Sequence, residues 1–214
     1  MTNTHSSIPP ALSAVILAAG EGSRMRSERP KPLHRLCGRP MLMYVLDSLA
    51  AVDARRAVIV VGHKGDWVTK KVQEHVHDIE LEFVEQQVQR GTGDATLVGL
   101  VGIPEDEDDS DVLVMPGDAP LLRASTIAAL VEHHRSTGAA ATLLTAVMDD
   151  PTGYGRVVRG REGRVVRVTE HRDASPEELE IDEVNTSIYC FRTSLLAPAL
   201  RRLAGDLMGR PAAG

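Results

Sequence analysis

The residues best suited to chemistry lie early in the chain, in the run Gly20-Glu21-Gly22-Ser23-Arg24-Met25-Arg26-Ser27-Glu28-Arg29-Pro30-Lys31. Two glycines let backbone N–H groups approach an anion with no Cβ in the way. Residues 21–35 hold five Arg or Lys and two Glu, a local positive excess in a chain of formal net charge −6. That combination suits a polyphosphate. The run fails the dinucleotide fingerprint G-x-G-x-x-G, because Met25 stands where the third glycine belongs, and it lacks the G-K-[ST] of a P-loop. On spacing alone, a solvated strand-to-helix loop with incidental arginines stays open.

Two further stretches carry polar groups at strand ends. Gln86 is followed by Gly91-Thr92-Gly93. A glutamine amide holds both donor and acceptor, a pair that matches the N3–H and O4 edge of uracil. Gly91 permits close backbone approach and Thr92 offers a hydroxyl, although such a loop is also ordinary surface. Asp118 stands just past the apolar run at residues 112–115. Mg²⁺ favours hard oxygen donors and commonly takes only one or two carboxylates beside phosphate and water, so one aspartate suffices for a candidate site. An Asx-turn is the competing reading. Gly155, Glu170 and Asn185 sit in short polar segments, each unremarkable alone. His63, His75, His77, His133 and His134 read as structural or surface residues; the adjacent pair point to different helix faces.

These residues need a frame. Short apolar, β-branched runs predict buried strands at residues 13–18, 57–61 and 111–115, with further strands at 81–84 and 140–147. Pro40 opens a helix whose apolar positions are Met41, Leu42, Val45, Leu46 and Leu49. Helices are also expected over 67–76 and 92–101, and from an N-cap at Ser125 through His134. The acidic run 105–111 reads as a solvated loop. Residues 157–158, 164–169 and 187–191 alternate polar and apolar, with Glu183 and Asn185 in a turn before the last of these. Strands alternating with helices imply an α/β fold with a mostly parallel sheet and a small antiparallel addition at one edge.

Composition closes off other classes. The chain has 214 residues, 43% hydrophobic and 25% charged, enough for one sizeable α/β domain. Aromatic content of 3% leaves no platform for stacking many bases or glycans. The −6 charge excludes a non-specific nucleic-acid binder. Cys37 and Cys190 match neither a disulfide framework nor a zinc spacing. Residues 1–10 contain no apolar leader, and no run approaches the ~18 apolar residues of a membrane span. The expectation is a cytoplasmic protein with neither nucleic-acid nor membrane partners.

Taken as a pattern, the first loop reads L-A-A-G-x-G-[ST]-R-M-x-S-x-x-P-K-x-L. It resembles the signature of the nucleoside-diphosphate-sugar pyrophosphorylases within the MobA-like NTP transferases, most closely the N-acetylglucosamine-1-phosphate uridylyltransferases. The resemblance implies a Rossmann-like nucleotidyltransferase fold, a three-layer α/β/α sandwich. It places Leu17, Ala18, Ala19 and Gly20 along the base and ribose, and Gly22 beside the triphosphate. Arg24 and Lys31 would contact the phosphates. The Q-x-x-x-x-G-T-G segment would read uracil through Gln86, with Gly91 and Thr92 beside it, and the G-D-x-P-L segment would hold Mg²⁺ on Asp118. The motifs G-Y-G-R, V-E-x-x-D-A and E-x-N-[TA]-[GS] imply sugar contacts from Gly155, Glu170 and Asn185. Arg24, Lys31 and Asp118 are thus the expected catalytic residues, and UTP and a sugar 1-phosphate the expected substrates.

The chain departs from that pattern in places. Ser23 stands where the family usually has Thr, and Pro116 where Tyr or Ser is frequent. After residue 206 the family's acidic, asparagine-rich segment and its second metal-binding Asn have no counterpart, and no hexapeptide repeat suggests an acetyltransferase half. The expected organisation is a polar tail at 1–12, a nucleotidyltransferase domain at 13–206 that is incomplete at its C-terminus, and a tail at 207–214. The leading expectation is a uridylyltransferase with a minimal or partner-completed metal site, or acting as a homo-oligomer. The alternatives are a non-catalytic nucleotide-binding module and a nucleotidyltransferase using GTP or CTP.

Overall fold

The computed structural model describes residues 10–20, 25, 27–62, 64–75, 78–104 and 110–208, the last five of these by backbone alone. The chain opens with β1 (Leu12–Ala18). Past the basic loop, a 3₁₀ turn at Lys31–Leu33 leads into a two-stranded ribbon, β2 (Arg35–Leu36) and β3 (Arg39–Pro40). Then follow α1 (Met41–Ala50), β4 (Arg56–Val61), α2 (Gly65–Gln73), β5 (Glu80–Glu85), α3 (Thr92–Leu100), β6 (Asp111–Pro116) and α4 (Ala124–Thr137). The second half holds β7 (Ala141–Val147), β8 (Arg156–Arg159), β9 (Val165–Thr169), the short α5 (Pro176–Leu179), β10 (Glu183–Arg192) and α6 (Thr193–Met208).

A parallel ladder in the order β5-β4-β1-β6 forms one part of the sheet. Its residues alternate strictly between two cores. Ala14, Ile16 and Ala18 of β1 pack with Leu42, Leu46 and Leu49 of α1, Val68 and Val72 of α2, and Ile127 of α4. Val15 of the same strand packs with Val58, Val60, Val112 and Val114, beneath Ala95 of α3 and Leu196 of α6. A strand covered on both faces is apolar at nearly every position, which is why residues 13–18 read as a buried strand. This is the three-layer, Rossmann-like architecture that the sequence led us to expect.

The rest of the sheet is antiparallel. β10 runs against β6 through its C-terminal half, pairing Tyr189 with Val114 and Phe191 with Val112. β7 lines its other edge from Glu183 to Phe191. β8 meets β10 at Val184, and β9 pairs with β8.

Three local expectations need correction. α4 starts at Ala124 with Arg123 as N-cap, not at Ser125, and no side chain caps it. The turn that Leu122 closes onto the Ala119 carbonyl delivers Arg123 in an extended conformation, and its carbonyl accepts the first helical bonds from Thr126 and Ile127. The N-cap is a backbone position, and here geometry overrides residue preference. Asp111 is not solvated: it is buried, and Arg135 Nε donates to its Oδ2 at 2.6 Å. Residues 105–109 of that acidic run lie outside the described residues. Asn185 stands within β10 rather than in a turn before it, beside a bulge that shifts the register between Asn185 and Ile188. Ser187 adopts φ 61° there, and its backbone N–H donates to Asn185 Oδ1 at 3.2 Å.

Candidate functional site

The parallel strands β5, β4, β1 and β6 all end on one side of the sheet. In open α/β sheets ligands bind outside the carboxyl ends of such strands. Leu17, Ala18, Ala19 and Gly20 lie at the end of β1, and the Leu17 carbonyl accepts from Gly117 N at 2.9 Å. Beside them Gly62 follows β4. A Cβ there would lie 2.7 Å from the Ala19 carbonyl oxygen, so only glycine lets the two strand ends come this close. Ala18, Ala19, Gly20, Gly62 and Gly65 line a cavity of about 170 Å³ together with residues 27–30 of the basic loop.

Lys31 enters this region from the 3₁₀ turn, whose Pro32 and Leu33 are buried and fix its base. Its ammonium pairs with Asp118 Oδ2, just past β6. The two side chains are 38% and 21% exposed, so the pair lies open to an entering ligand. Lys31 and Asp118 stand 87 positions apart in the sequence, and the parallel order of β1 and β6 is what brings them together. Arg24 and Gly22 lie outside the described residues, as do His63 and His77.

Gln86 follows β5. Its backbone N–H donates to the Val61 carbonyl at 2.8 Å, and its side chain is buried. The amide nitrogen donates to Asp94 Oδ2 at 2.7 Å and lies 3.5 Å from the Gly91 carbonyl. Gly91 precedes α3 with φ 100°, a conformation that favours glycine, and Thr92 begins the helix with its side chain exposed. Gln89 serves differently: its Nε2 donates to the Ala19 carbonyl at 2.7 Å, tying the 86–91 loop to the end of β1. Asp94, Gln89 and Gly62 had no functional reading in the sequence. Their signal is spatial, since Gln89 and Ala19 are 70 positions apart.

On the antiparallel side Gly155, Glu170 and Asn185 converge. Asn185 N donates to the Gly155 carbonyl at 2.9 Å. A Cβ on Gly155 would sit 3.6 Å from Glu170 Oε1. Asn185 Nδ2 donates to Tyr189 Oη at 2.6 Å, which fixes the amide. Because β10 runs antiparallel to β6, its residues before Tyr189 extend past Val114 toward the end of β6 where Asp118 lies. The second cluster therefore shares the ligand side of the sheet with the first.

One residue missed in the sequence underlies this cluster. Arg156 is 2% exposed, and its Nη1 donates to the Pro151 and Tyr154 carbonyls at 2.6 and 2.7 Å. Its guanidinium holds the turn that delivers Gly155. The motif Tyr154-Gly155-Arg156 marked the position, but a buried arginine cannot be told from a surface one by sequence.

His134 reads as structural, as expected. It is 1% exposed, with Nδ1 2.8 Å from Thr142 Oγ1 and Nε2 3.6 Å from Asp111 Oδ1. Burial holds its imidazole below the ordinary histidine range, against a smaller upward pull from Asp111. It lies on the opposite side of the sheet, beside the start of β6.

An α/β sheet with a Lys–Asp pair and a glycine-bearing cavity on its carboxyl side is suited to hold an anionic ligand, and the family match assigns it to the nucleotidyltransferase class. The chain belongs to the MobA-like NTP transferase domain family, whose model matches residues 14–212. It is 47% identical over 193 residues to the bifunctional protein GlmU of Pelotomaculum thermopropionicum, covering 89% of this chain and 40% of that one. It is 43% identical over 193 residues to the bifunctional protein GlmU of Listeria welshimeri, covering 90% of this chain and 41% of that one. The chain thus spans about two fifths of the length of these curated relatives. Among solved structures, 4-diphosphocytidyl-2C-methyl-D-erythritol synthase from Anaerococcus prevotii superimposes with a TM-score of 0.65 at 18% identity, over 92% of this chain and 77% of that one. At that identity the likeness is one of fold.

Proposed function

We propose that the domain transfers a uridylyl group from UTP to N-acetylglucosamine 1-phosphate, giving UDP-N-acetylglucosamine and pyrophosphate. The observation that carries this reading is the partly exposed Lys31–Asp118 pair, which joins the 3₁₀ turn after the basic loop to the residue just past β6, on the side of the sheet where the glycine-bearing cavity and the Gly155–Glu170–Asn185 cluster also lie. The sugar phosphate is already an anionic nucleophile and needs no activating base. One of its oxygens attacks the α-phosphorus, the new P–O bond forms, and the bond to the β-phosphate oxygen breaks with its electron pair leaving on pyrophosphate. Catalysis of this kind rests on positioning and charge neutralisation. Lys31, with Arg24 in the preceding loop, supplies positive charge to the phosphates. Gln86 and the backbone at Leu17, Ala18, Ala19 and Gly20 hold the nucleoside, while Gly155, Glu170 and Asn185 orient the sugar.

Mg²⁺ is the cofactor this reading implies. Asp118 fits it: a hard carboxylate, partly exposed, with no described partner besides Lys31, beside the space for phosphates. No group of three or more His, Cys, Asp or Glu side chains is placed to hold a metal among the described residues, which suits an ion completed by phosphate oxygens and water. Bound there, it would neutralise phosphate charge. Both substrates are soluble metabolites, and the cytoplasm is the compartment this reading implies. No helix among the described residues is long and apolar enough to cross a membrane.

The test is pyrophosphate release with UTP, CTP, GTP and ATP against N-acetylglucosamine 1-phosphate in Mg²⁺, beside calorimetric titration of each nucleotide. Turnover with UTP supports the reading. Binding without turnover leaves a nucleotide-binding module, and turnover with GTP or CTP in preference to UTP overturns the uridylyl assignment.

A further inference from the structure

The Gln86 side chain is polarised by its neighbours before any base arrives. Its terminal nitrogen faces two groups, the Asp94 carboxylate at 2.7 Å and the Gly91 carbonyl at 3.5 Å. A carboxylate and a carbonyl are acceptors only. Turning the amide by 180° would set Gln86 Oε1 against the carboxylate, acceptor against acceptor, in a side chain only 5% exposed. An unpaired buried clash of that kind is strongly disfavoured. Both N–H groups are thereby directed at Asp94 and Gly91. Oε1 is left with no hydrogen-bond partner among the described residues.

We infer that Asp94 is a specificity-determining residue: by fixing the Gln86 amide it presents the base site with an acceptor, and so selects nucleoside triphosphates whose base carries an imino N–H over those whose ring nitrogen is itself an acceptor. Uracil N3–H meets Oε1 as a donor. Cytosine, of nearly the same size and shape, offers a bare N3 and leaves two acceptors face to face. This narrows the use of Gln86 from donor and acceptor to acceptor alone. It rests on the reading of the domain as a uridylyltransferase in which Gln86 faces the base. Asp94 does not touch the nucleotide in this account. It acts through Gln86 and is a positioning residue.

Asp94 also occupies the first turn of α3, where a carboxylate favours the positive end of the helix. A purely structural role of that sort would weaken binding of every nucleotide alike. The discriminating quantity is therefore the ratio of UTP to CTP affinity, measured by calorimetric titration with Mg²⁺, which needs no turnover. Asp94→Asn is close in shape but can donate as well as accept, so it permits the flipped amide. Asp94→Ala removes the constraint altogether and serves if the first variant folds poorly. Both are expected to lower the UTP/CTP ratio by about tenfold or more, the scale of one hydrogen bond made or lost at a buried polar group. Gln86→Ala should lower it in the same way, and Asp94→Ala made in that background should lower it no further. A wild type that prefers UTP, with Asp94 variants that keep its ratio, overturns the inference alone. A wild type that binds CTP as well as UTP overturns the uridylyl reading and the inference with it.

Discussion

The two halves of the sheet are built by different means. The nucleotide half, β5-β4-β1-β6, is parallel, sandwiched between helices, and held by apolar burial: Ala14, Val15, Ile16, Val58, Ile59 and Val60 are wholly buried. The half around Gly155, Glu170 and Asn185 is antiparallel, and its strands are largely half-exposed, with β9 open at Val166 and Arg167. It is held by arginines. Arg159 grips Glu183 with two bonds of 2.7 and 2.6 Å, and Arg167 donates to Glu178 Oε1 at 2.6 Å. Arg156 ties down two carbonyls. In the first half the frame is apolar and the polar residues at its ends are free to serve a ligand. In the second, frame and site share the same polar network.

That contrast predicts a separation of effects. In the first half, Lys31→Ala or Asp118→Ala should cut pyrophosphate release by about 100-fold or more, the scale of losing one preorganised electrostatic contact. Stability should hardly move, because an exposed pair of this kind contributes at most about 1 kcal/mol. Near wild-type turnover in either variant would remove the pair from the proposed chemistry. A large loss of urea stability would mean the two halves are not built so differently.

In the second half activity and stability should fall together. Arg156→Ala leaves the Pro151 and Tyr154 carbonyls without their donor, at a cost of about 2–4 kcal/mol on the scale of two lost hydrogen bonds from a charged group. With the turn loosened, KM for the sugar phosphate should rise by about tenfold while KM for UTP stays within about twofold, as when binding to one substrate alone is weakened. Arg156→Lys should recover part of the stability, since a single nitrogen, Nη1, serves both carbonyls and an ammonium can do the same, but little of the KM, because the shorter side chain lacks the rigid planar fork that fixes the turn. Equal rises in both KM values would place Arg156 in the general frame instead.

The same difference governs what could be read from the sequence. A strand buried on both faces has one composition available to it, so β1, β4 and β6 stood out as apolar runs, and the loops at their ends carried their residues in local motifs. Lys31, Gln86 and Asp118 were nameable for that reason. Asp94 and Gln89 were not, because what they do depends on neighbours brought near by folding. In the antiparallel half the polar–apolar alternation was legible but the detail was not. The bulge after Asn185 turns on a positive φ at Ser187, a residue with no marked preference for it, and Asn185 consequently read as a turn. Asp111 misled in the same way: it closes an acidic run, while the Arg135 that neutralises it is 24 positions on.

Acid should reach the two halves at different pH. At the edge of the nucleotide half, where α4 packs beside Asp111 of β6 and Thr142 of β7, one titrating group is His134, whose burial keeps the folded-state imidazole below its ordinary value. The unfolded chain therefore takes up the proton first as pH drops below about 6.5, so the stability this histidine contributes is complete above that point and declines as pH falls toward the folded-state value. In the other half Glu183 is held below the ordinary carboxylate range by its hydrogen bonds from Arg159. Its contribution is complete above about 4.3 and is lost only as pH falls further. Urea unfolding between pH 7.5 and 3.5 should show both declines in the wild type. His134→Gln should flatten the limb that begins below about pH 6.5 while leaving the lower limb, and Glu183→Gln should flatten the lower limb only. This is the smallest of the expected effects, because Asp111 partly offsets the burial of His134, but its sign is fixed. A His134→Gln variant that keeps the full upper limb would show that another group in the apolar half titrates there.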